Sequence, residues 1–275
     1  MTILDGKKIR EELLEKHKEI IKEQDLNIVL AIIQIGDNSS SNTYVSNKVK
    51  YTKKVGIKTK VFKLPENVDE NECITLINQL NNDSTITGIL VQSPLPKQLD
   101  FKKLSRLILD SKDVDGLSKN NLFALRDNKE KIIPCTVKGI LKIFDYYEIS
   151  VEGKNIVIIG RSDIVGRPLA DALINRNATI TLCHSKTKNI EMYTSQADIV
   201  ISAAGHPNLI TKDMVKDQFI GIDVGINYVD GKLVGDFHEN VKEKASYLTP
   251  VPGGVGPMTI AMLIENLIDL KRGQI

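Results

Sequence analysis

Apolar positions in the first ninety residues follow two alternating rhythms. From Gly6 to Gln24 they recur every three or four residues among lysines and glutamates, which predicts an amphipathic helix. From Ile28 to Ile33 they merge into an unbroken run that ends at Gly36 and predicts a buried strand. "SNTYVSNKVKYTKKVGI" returns to helical spacing, with Ser39, Ser40 and Ser41 as capping candidates and Gly56 where a helix-ending glycine belongs. "KTKVFKLP" predicts a short strand and "NVDENECITLINQLNND" a helix. "ITGILVQSPLP" predicts a strand that runs into a proline turn. Such alternation predicts a parallel sheet covered by helices.

Between Leu104 and Ser118 the pattern lapses into polar, irregular sequence around "DSKDVDGLS". A second series follows. "TVKGILKIFDYYEI" predicts a helix, and "GKNIVIIGRSDIVGRPLADALINR" a strand, a glycine turn and a helix. "NATITLCHSKT", "ADIVISAAGHP" and "FIGIDVGINYVDGKLVGDF" add strands, the last with a hairpin turn at Asp230-Gly231. The chain therefore divides into two α/β lobes with a boundary between residues 112 and 136. A final helix is expected from Met258 to Arg272. Before it stands "TPVPGGVGPMT", whose three prolines and three glycines exclude helix and central strand. It is too apolar for an ordinary linker, and a stiff crossover between the lobes would also explain it.

Composition narrows the classes. With 275 residues and 41% hydrophobic content the chain can bury aliphatic cores without staples. Thirty-seven basic and 35 acidic residues leave a net charge of +2 with no long single-sign block, which speaks against nucleic acid as partner. No apolar run approaches the ~20 residues that span a bilayer, and the N-terminus is charged throughout, so no membrane partner is expected. Cys73, Cys135 and Cys183 are widely spaced and form no metal pattern, which fits a cytoplasmic setting and no metal cofactor.

Four places carry candidate chemistry. Gly160, Ser162 and Gly166 form a G-x-S-x-x-x-G turn between strand and helix. Such a turn lets a pyrophosphate approach the backbone at a helix N-terminus, with Pro168 suited to the first helical turn. The next strand ends in Cys183-His184-Ser185-Lys186 without a carboxylate for a ribose 2′-hydroxyl. Arg161 and Ser185, with His184 or Lys186, suit a 2′-phosphate instead, which favours NADP over NAD. Tyr44 and Lys48 stand four apart and share one helix face, although with Lys50, Lys53, Lys54 and Lys58 following, a solvated basic helix explains the lysine better from sequence alone. Gln92 ends a buried strand, where open α/β sheets present ligand groups. Asp113 and Asp115 follow a polar turn that an Asx turn would also explain.

Taken together, "YVSNK", "GILVQSPLP", "KDVDG", "PCTVKGI", "GRSDIVGRP", "CHSKT", "IDVGIN" and "TPVPGGVGPMT" resemble the bifunctional methylenetetrahydrofolate dehydrogenase/methenyltetrahydrofolate cyclohydrolase family nearly end to end. The resemblance implies two α/β domains flanking a cleft, the second a Rossmann-like NADP-binding domain, with the C-terminal helix returning to the first. The implied boundaries are 1–115 plus 255–275 for a folate-binding catalytic domain and 116–254 for the nucleotide domain. It implies NADP-dependent oxidation of 5,10-methylenetetrahydrofolate, then hydrolysis to 10-formyltetrahydrofolate. The implied catalytic residues are Lys48, Gln92, Tyr44 and Asp115: Lys48 for proton transfer, Gln92 to orient it, Tyr44 to stack on the folate and Asp115 to grip the pterin. Pro252, Gly253 and Gly254 would line the folate site, with backbone close to a flat ligand. The implied dinucleotide contacts are Gly160, Arg161, Ser162, Ile164, Val165 and Gly166 in the first turn, His184 and Ser185 after the next strand, then Ala204, Gly205, Gly225 and Ile226. The partner would be a polyglutamylated folate, and the assembly a homodimer through the nucleotide domain. Lys50, Lys53, Lys54 and Lys58 would attract the glutamate tail and depress the pKa of Lys48. Ser93 and a shorter segment near His238 depart from the family pattern. The competing expectations are a monofunctional dehydrogenase and a two-domain NADP dehydrogenase of shikimate-dehydrogenase type.

Overall fold

A computed structural model describes residues 1–273 of the chain. In order, the first half forms β1 (Thr2–Ile3), α1 (Gly6–Glu23), β2 (Val29–Ile35), α2 (Ser39–Lys54), β3 (Lys58–Leu64), α3 (Glu70–Asn82), β4 (Gly88–Val91), α4 (Phe101–Ser105) and α5 (Lys119–Arg126). The second half forms α6 (Cys135–Tyr146), β5 (Asn155–Ile159), α7 (Gly166–Ile174), β6 (Thr179–Cys183), α8 (Glu191–Thr194), β7 (Ile199–Ser202), β8 (Phe219–Asp223), β9 (Asn227–Val229), β10 (Lys232–Val234), β11 (Ala245–Leu248) and α9 (Val255–Lys271). Among the described residues no helix is long and apolar enough to cross a membrane.

The chain packs as two compact units. One comprises Met1–Glu11 and Thr136–Thr259, the other Glu12–Cys135 and residues 260–273. The second of these is built on a three-stranded parallel sheet in the order β3-β2-β4. All seven residues of β2 are buried because it is the middle strand, which is why its sequence is an almost continuous apolar run. Helix α2 leaves the end of β2, and the side chain of Asn38 caps it by accepting the Ser41 N–H at 3.1 Å. The cap is thus the residue before the serines; Ser39 to Ser41 already lie in the first turn. Gly56 ends this region at φ +91°.

The other unit is built on a six-stranded sheet in the order β1-β11-β8-β7-β5-β6, every neighbouring pair parallel. Strands step outward in both directions from β5, so a crevice is expected at their C-terminal ends beside it. The hairpin β9–β10 turns at Asp230 and Gly231, both at positive φ as a two-residue hairpin turn requires.

Three features differ from the sequence expectation. The expected boundaries put residues 1–115 together, but β1 pairs with β11, which ties Met1–Glu11 to the nucleotide unit. Residues 274 and 275 of the expected folate-binding domain lie outside the described residues. Helix α9 starts at Val255, inside the run that its prolines and glycines were expected to keep non-helical. Pro257 is tolerated because N–H groups of a first helical turn have no partner within the helix. Finally, residues 104–118 are not simply irregular: α4 ends at Ser105, a short 3₁₀ turn forms at Asp110–Lys112, and α5 follows directly from Lys119.

Candidate active site

Three elements of the catalytic unit bring its predicted side chains together. Tyr44 and Lys48 lie one turn apart on α2, both half-buried. Gln92 directly follows β4, is 6% exposed, and is fixed by its own N–H on the Ile33 carbonyl at 2.9 Å. Lys48 Nζ donates to Gln92 Oε1 at 2.9 Å, and Gln92 Nε2 donates to the Ser93 carbonyl at 2.6 Å. The glutamine amide is therefore oriented from behind, with its oxygen turned to the lysine. Pro94 follows in a cis peptide bond with Ser93.

The two aspartates of "DVDG" separate into different tasks. Asp113 is 1% exposed, and its Oδ2 accepts from Ser118 N at 2.7 Å and Asn121 Nδ2 at 2.8 Å, so it holds the turn. Asp115 is half-buried and stands within electrostatic reach of Lys48. Burial pushes the Asp115 carboxyl above its usual range, opposed by the Lys48 charge and a hydrogen bond from Cys135. Burial likewise lowers the Lys48 ammonium, opposed by Asp115 and then Cys135. The neighbouring lysines expected to depress it are not among the causes. Lys50, Lys53 and Lys54 point away on the exposed side of the helix, and Lys54 pairs with Glu15 at 3.3 Å.

Two contributors escaped the sequence reading. Cys135 hydrogen-bonds Asp115 from the start of α6. Asn266 of α9 donates to the carbonyls of Val114 and Ile133, each at 3.0 Å, and so braces the segments that carry Asp115 and Cys135. Cys135 lies within a quoted motif, whereas Asn266 has no local signal at all. Ser41 stands seven residues before Lys48 on the same stripe of α2. Its hydroxyl is fully buried without a hydrogen-bond partner. Among the described residues no cluster of His, Cys, Asp and Glu is placed to hold a metal ion.

In the nucleotide unit the predicted residues collect at the C-terminal ends of four adjacent strands. Gly160 follows β5, His184 follows β6, Ala204 and Gly205 lie beyond β7, and Gly225 and Ile226 beyond β8. The first turn is close-packed on itself. A Cβ at Gly166 would stand 1.9 Å from the Gly160 carbonyl oxygen, and one at Gly160 would stand 2.5 Å from the Ala203 oxygen. Ser162 Oγ accepts from Val165 N at 3.2 Å and shapes the entry to α7. Arg161, Ser162 and Ile164 are exposed, Val165 is half-buried, and Pro168 sits in the first turn of α7. His184 Nδ1 accepts from Lys186 N at 3.1 Å, which leaves Ser185 exposed at the tip of a short turn. A small-residue turn at a helix start, exposed Arg161 and Ser185, and no carboxylate at the end of β6 fit a phosphorylated dinucleotide.

The glycine-rich loop packs against the start of α1. Gly253 and Gly254 are buried, and the close approach they allow is to the chain itself. A Cβ at Gly6 would stand 1.9 Å from the Gly254 oxygen, and Lys7 N donates to the Gly253 oxygen at 3.1 Å. Pro252, after a cis bond from Val251, is exposed.

Comparison with known proteins agrees with this division of labour. Residues 4–115 match the profile described as the catalytic domain of tetrahydrofolate dehydrogenase/cyclohydrolase, and residues 134–274 match its NAD(P)-binding domain. The chain is 49% identical over 282 residues to the bifunctional protein FolD of Campylobacter jejuni, covering 100% of both. The crystal structure of the bifunctional FolD enzyme from Campylobacter jejuni is similar at a TM-score of 0.97 and 48% identity, covering 100% of both chains. The Trypanosoma brucei FolD, solved with NADP cofactor and an inhibitor, is similar at a TM-score of 0.95 and 32% identity, covering 99% of this chain and 98% of that one.

Proposed function

Since this chain belongs to the tetrahydrofolate dehydrogenase/cyclohydrolase family, we propose that Lys48, set between Gln92 and Asp115, carries the proton transfers of its cyclohydrolase step. The chain is a bifunctional folate enzyme. It oxidises 5,10-methylenetetrahydrofolate with NADP and hydrolyses the 5,10-methenyl product to 10-formyltetrahydrofolate. End-to-end likeness to bifunctional relatives favours this over a monofunctional dehydrogenase or a shikimate-type enzyme.

The observation that carries the residue assignment is the 2.9 Å bond from Lys48 to Gln92 on a lysine whose pKa burial has lowered. Hydrolysis begins with water attacking the methenyl carbon, and that water must lose a proton. Neutral Lys48 accepts it. Ring opening then needs a proton on the departing nitrogen, and the same ammonium returns it. Gln92 Oε1 fixes the direction of the amine throughout, and Asp115 holds the pterin. Tyr44, one turn before Lys48, stacks on the folate. NADP supplies the hydride acceptor for the oxidation. Toward it the Gly160–Gly166 turn cradles the pyrophosphate, and Arg161 and Ser185 take the 2′-phosphate. In a Lys48→Met protein, hydrolysis of the methenyl substrate should fall at least about a hundredfold while NADP affinity stays within about twofold. Full cyclohydrolase turnover in that variant would overturn the assignment.

The natural substrate is read as a polyglutamylated folate, and the support now narrows to two lysines. Lys53 and Lys58 line a cavity of ≈ 400 Å³ with Val49, Gly56, Ile57 and Thr59, whereas Lys54 is engaged by Glu15. A Lys53→Gln/Lys58→Gln protein should lose its preference for polyglutamylated over monoglutamylated substrate, read as the ratio of the two KM values. An unchanged ratio would count against the tail site. The assembly is read as a homodimer through the nucleotide unit, whose sheet ends on β6. The compartment is read as the cytoplasm, in keeping with three buried free cysteines; recovery in a membrane or extracellular fraction would contradict that.

A further inference from the structure

The nucleotide unit contains a pair of buried carboxylates that no step above uses. Asp236, two residues past β10, is 0% exposed, and Asp223, the last residue of β8, is 5% exposed. Buried charge persists only where donors surround it. Asp236 has five. Its Oδ2 accepts from Ser202 Oγ at 2.8 Å, Ala204 N at 2.8 Å and Gly205 N at 3.2 Å. Its Oδ1 accepts from His206 N at 2.8 Å and Asn227 Nδ2 at 3.0 Å. Asp223 in turn holds Asp236: Oδ1 accepts from Asp236 N at 2.9 Å and Gly225 N at 3.1 Å, and Oδ2 from Phe237 N at 3.0 Å. Burial, then the neighbouring Asp236 charge, pushes the Asp223 carboxyl up to about 6 against these backbone bonds.

The surrounding backbone is cut to fit the pair. A Cβ at Gly225 would stand 2.0 Å from Asp236 Oδ1, and one at Gly235 would stand 1.9 Å from Asp223 Oδ2. Both loops that leave the ends of β7 and β8 are thereby tied to one carboxylate. Three successive N–H groups, at 204, 205 and 206, converge on it. Such a concavity of amides takes an anion when it is free. Here the anion is a side chain of the fold, so these amides have no capacity left for a cofactor phosphate.

We infer that Asp236, held by Asp223, is the positioning residue that sets the loops after β7 and β8 against the dinucleotide and closes the 204–206 amides to phosphate. This rests on the reading that Ala204, Gly205, Gly225 and Ile226 meet NADP. It follows that these loops meet the nicotinamide ring, which offers no anion to the 204–206 amides, through carbonyl and Cα atoms, and that phosphate recognition falls to the Gly160–Gly166 turn and the His184–Ser185 turn.

The test uses the full chain. Asp236→Asn keeps the volume but turns an amide donor toward groups that are themselves donors. Its KM for NADP should rise about tenfold or more, since hydrogen bonds to a charged group are lost. Its affinity for 2′,5′-ADP, which probes the phosphate-binding half, should stay within about twofold, as should KM for the folate and the cofactor-free cyclohydrolase rate. Asn227→Ala, which removes one donor at the rim, should move KM for NADP in the same direction by less. Unchanged NADP affinity in both variants overturns the inference, as does parallel loss of NADP and 2′,5′-ADP binding. Ile226→Glu separates the two levels: Ile226 is 42% exposed and outside the network. If Ile226→Glu leaves NADP affinity intact, the loops do not meet the cofactor and the underlying reading falls too. If it weakens NADP while Asp236→Asn does not, the inference alone fails.

Discussion

Lys48 sits between two opposed influences, and their signs fix a pH prediction. Burial favours the neutral amine, whereas the Asp115 carboxylate favours the ammonium. If the neutral amine accepts the proton from water, cyclohydrolase rate rises with pH along a limb whose midpoint lies below the ordinary lysine pKa of 10.5. Asp115→Asn removes the larger of the influences that raise the Lys48 pKa, so the midpoint of that rising limb should move to lower pH. A pH–rate profile on preformed methenyl substrate reads it, and a shift to higher pH would show that Lys48 does not act as the base. Helical spacing and a strand end offered Tyr44, Lys48 and Gln92 as candidates by local rules, but a solvated basic helix and a loop-capping glutamine account for them equally well, so the assembled motifs were needed to choose. Asp115 was legible only by motif, since an Asx turn accounts equally well for "DVDG", and indeed Asp113 makes the turn-holding bonds. Asn266 acts through contacts with segments more than a hundred residues away, 131 from Cys135, and no local rule encodes those.

At the scale of elements, the turn between β5 and α7 depends on the absence of a side chain at Gly166. Its backbone φ is not in the left-handed region, so the constraint is steric: a Cβ there meets the Gly160 carbonyl at 1.9 Å, and backbone cannot step aside cheaply. Gly166→Ala should therefore destabilise the nucleotide unit by about 1–3 kcal/mol and weaken NADP binding. Gly153 makes the contrast. It sits at φ +69° with nothing near its would-be Cβ, so Gly153→Ala carries only the left-handed backbone cost, about 1–2 kcal/mol, with NADP affinity intact. Thermal melts and NADP titrations of both variants distinguish them; equal NADP affinities would refute the close-packed turn as a cofactor determinant. The strand-turn-helix here was readable because glycine spacing and an apolar run coincide. Strands β1 and β11 were not, because two and four residues give no period to read and their pairing is set by a partner distant in sequence. The start of α9 was not readable because proline breaks a helix interior yet is tolerated in a first turn, and sequence alone does not say in which of the two Pro257 falls.

At the scale of the molecule, alternating periods were enough to predict two α/β lobes, but no pattern could say that the N-terminal strand completes the sheet of the other lobe. The sheet order also bears on assembly. It leaves β6 at an edge, and exposed edges invite pairing with another chain. Thr179 N bonds the Lys154 oxygen and the Cys183 oxygen accepts from Gly160 N, so the odd-numbered residues of β6 face β5. By alternation, Ile180 and Leu182 direct their N–H and C=O groups outward. The strand reads "TITLC", with neither lysine nor proline to blunt it, and the neighbouring α8 exposes Met192 and Tyr193. A two-fold partner would pair β6 against its own copy, antiparallel, with those side chains covering the seam. Leu182→Pro removes an outward N–H and no ladder bond to β5, so the monomer should fold and keep its circular dichroism. Sedimentation should then show a dimer for the parent chain and a monomer for Leu182→Pro at the same concentration. A parent chain that sediments as a monomer would end the dimer reading. A variant that still dimerises would move the interface away from β6 while leaving the two-unit fold and its chemistry untouched.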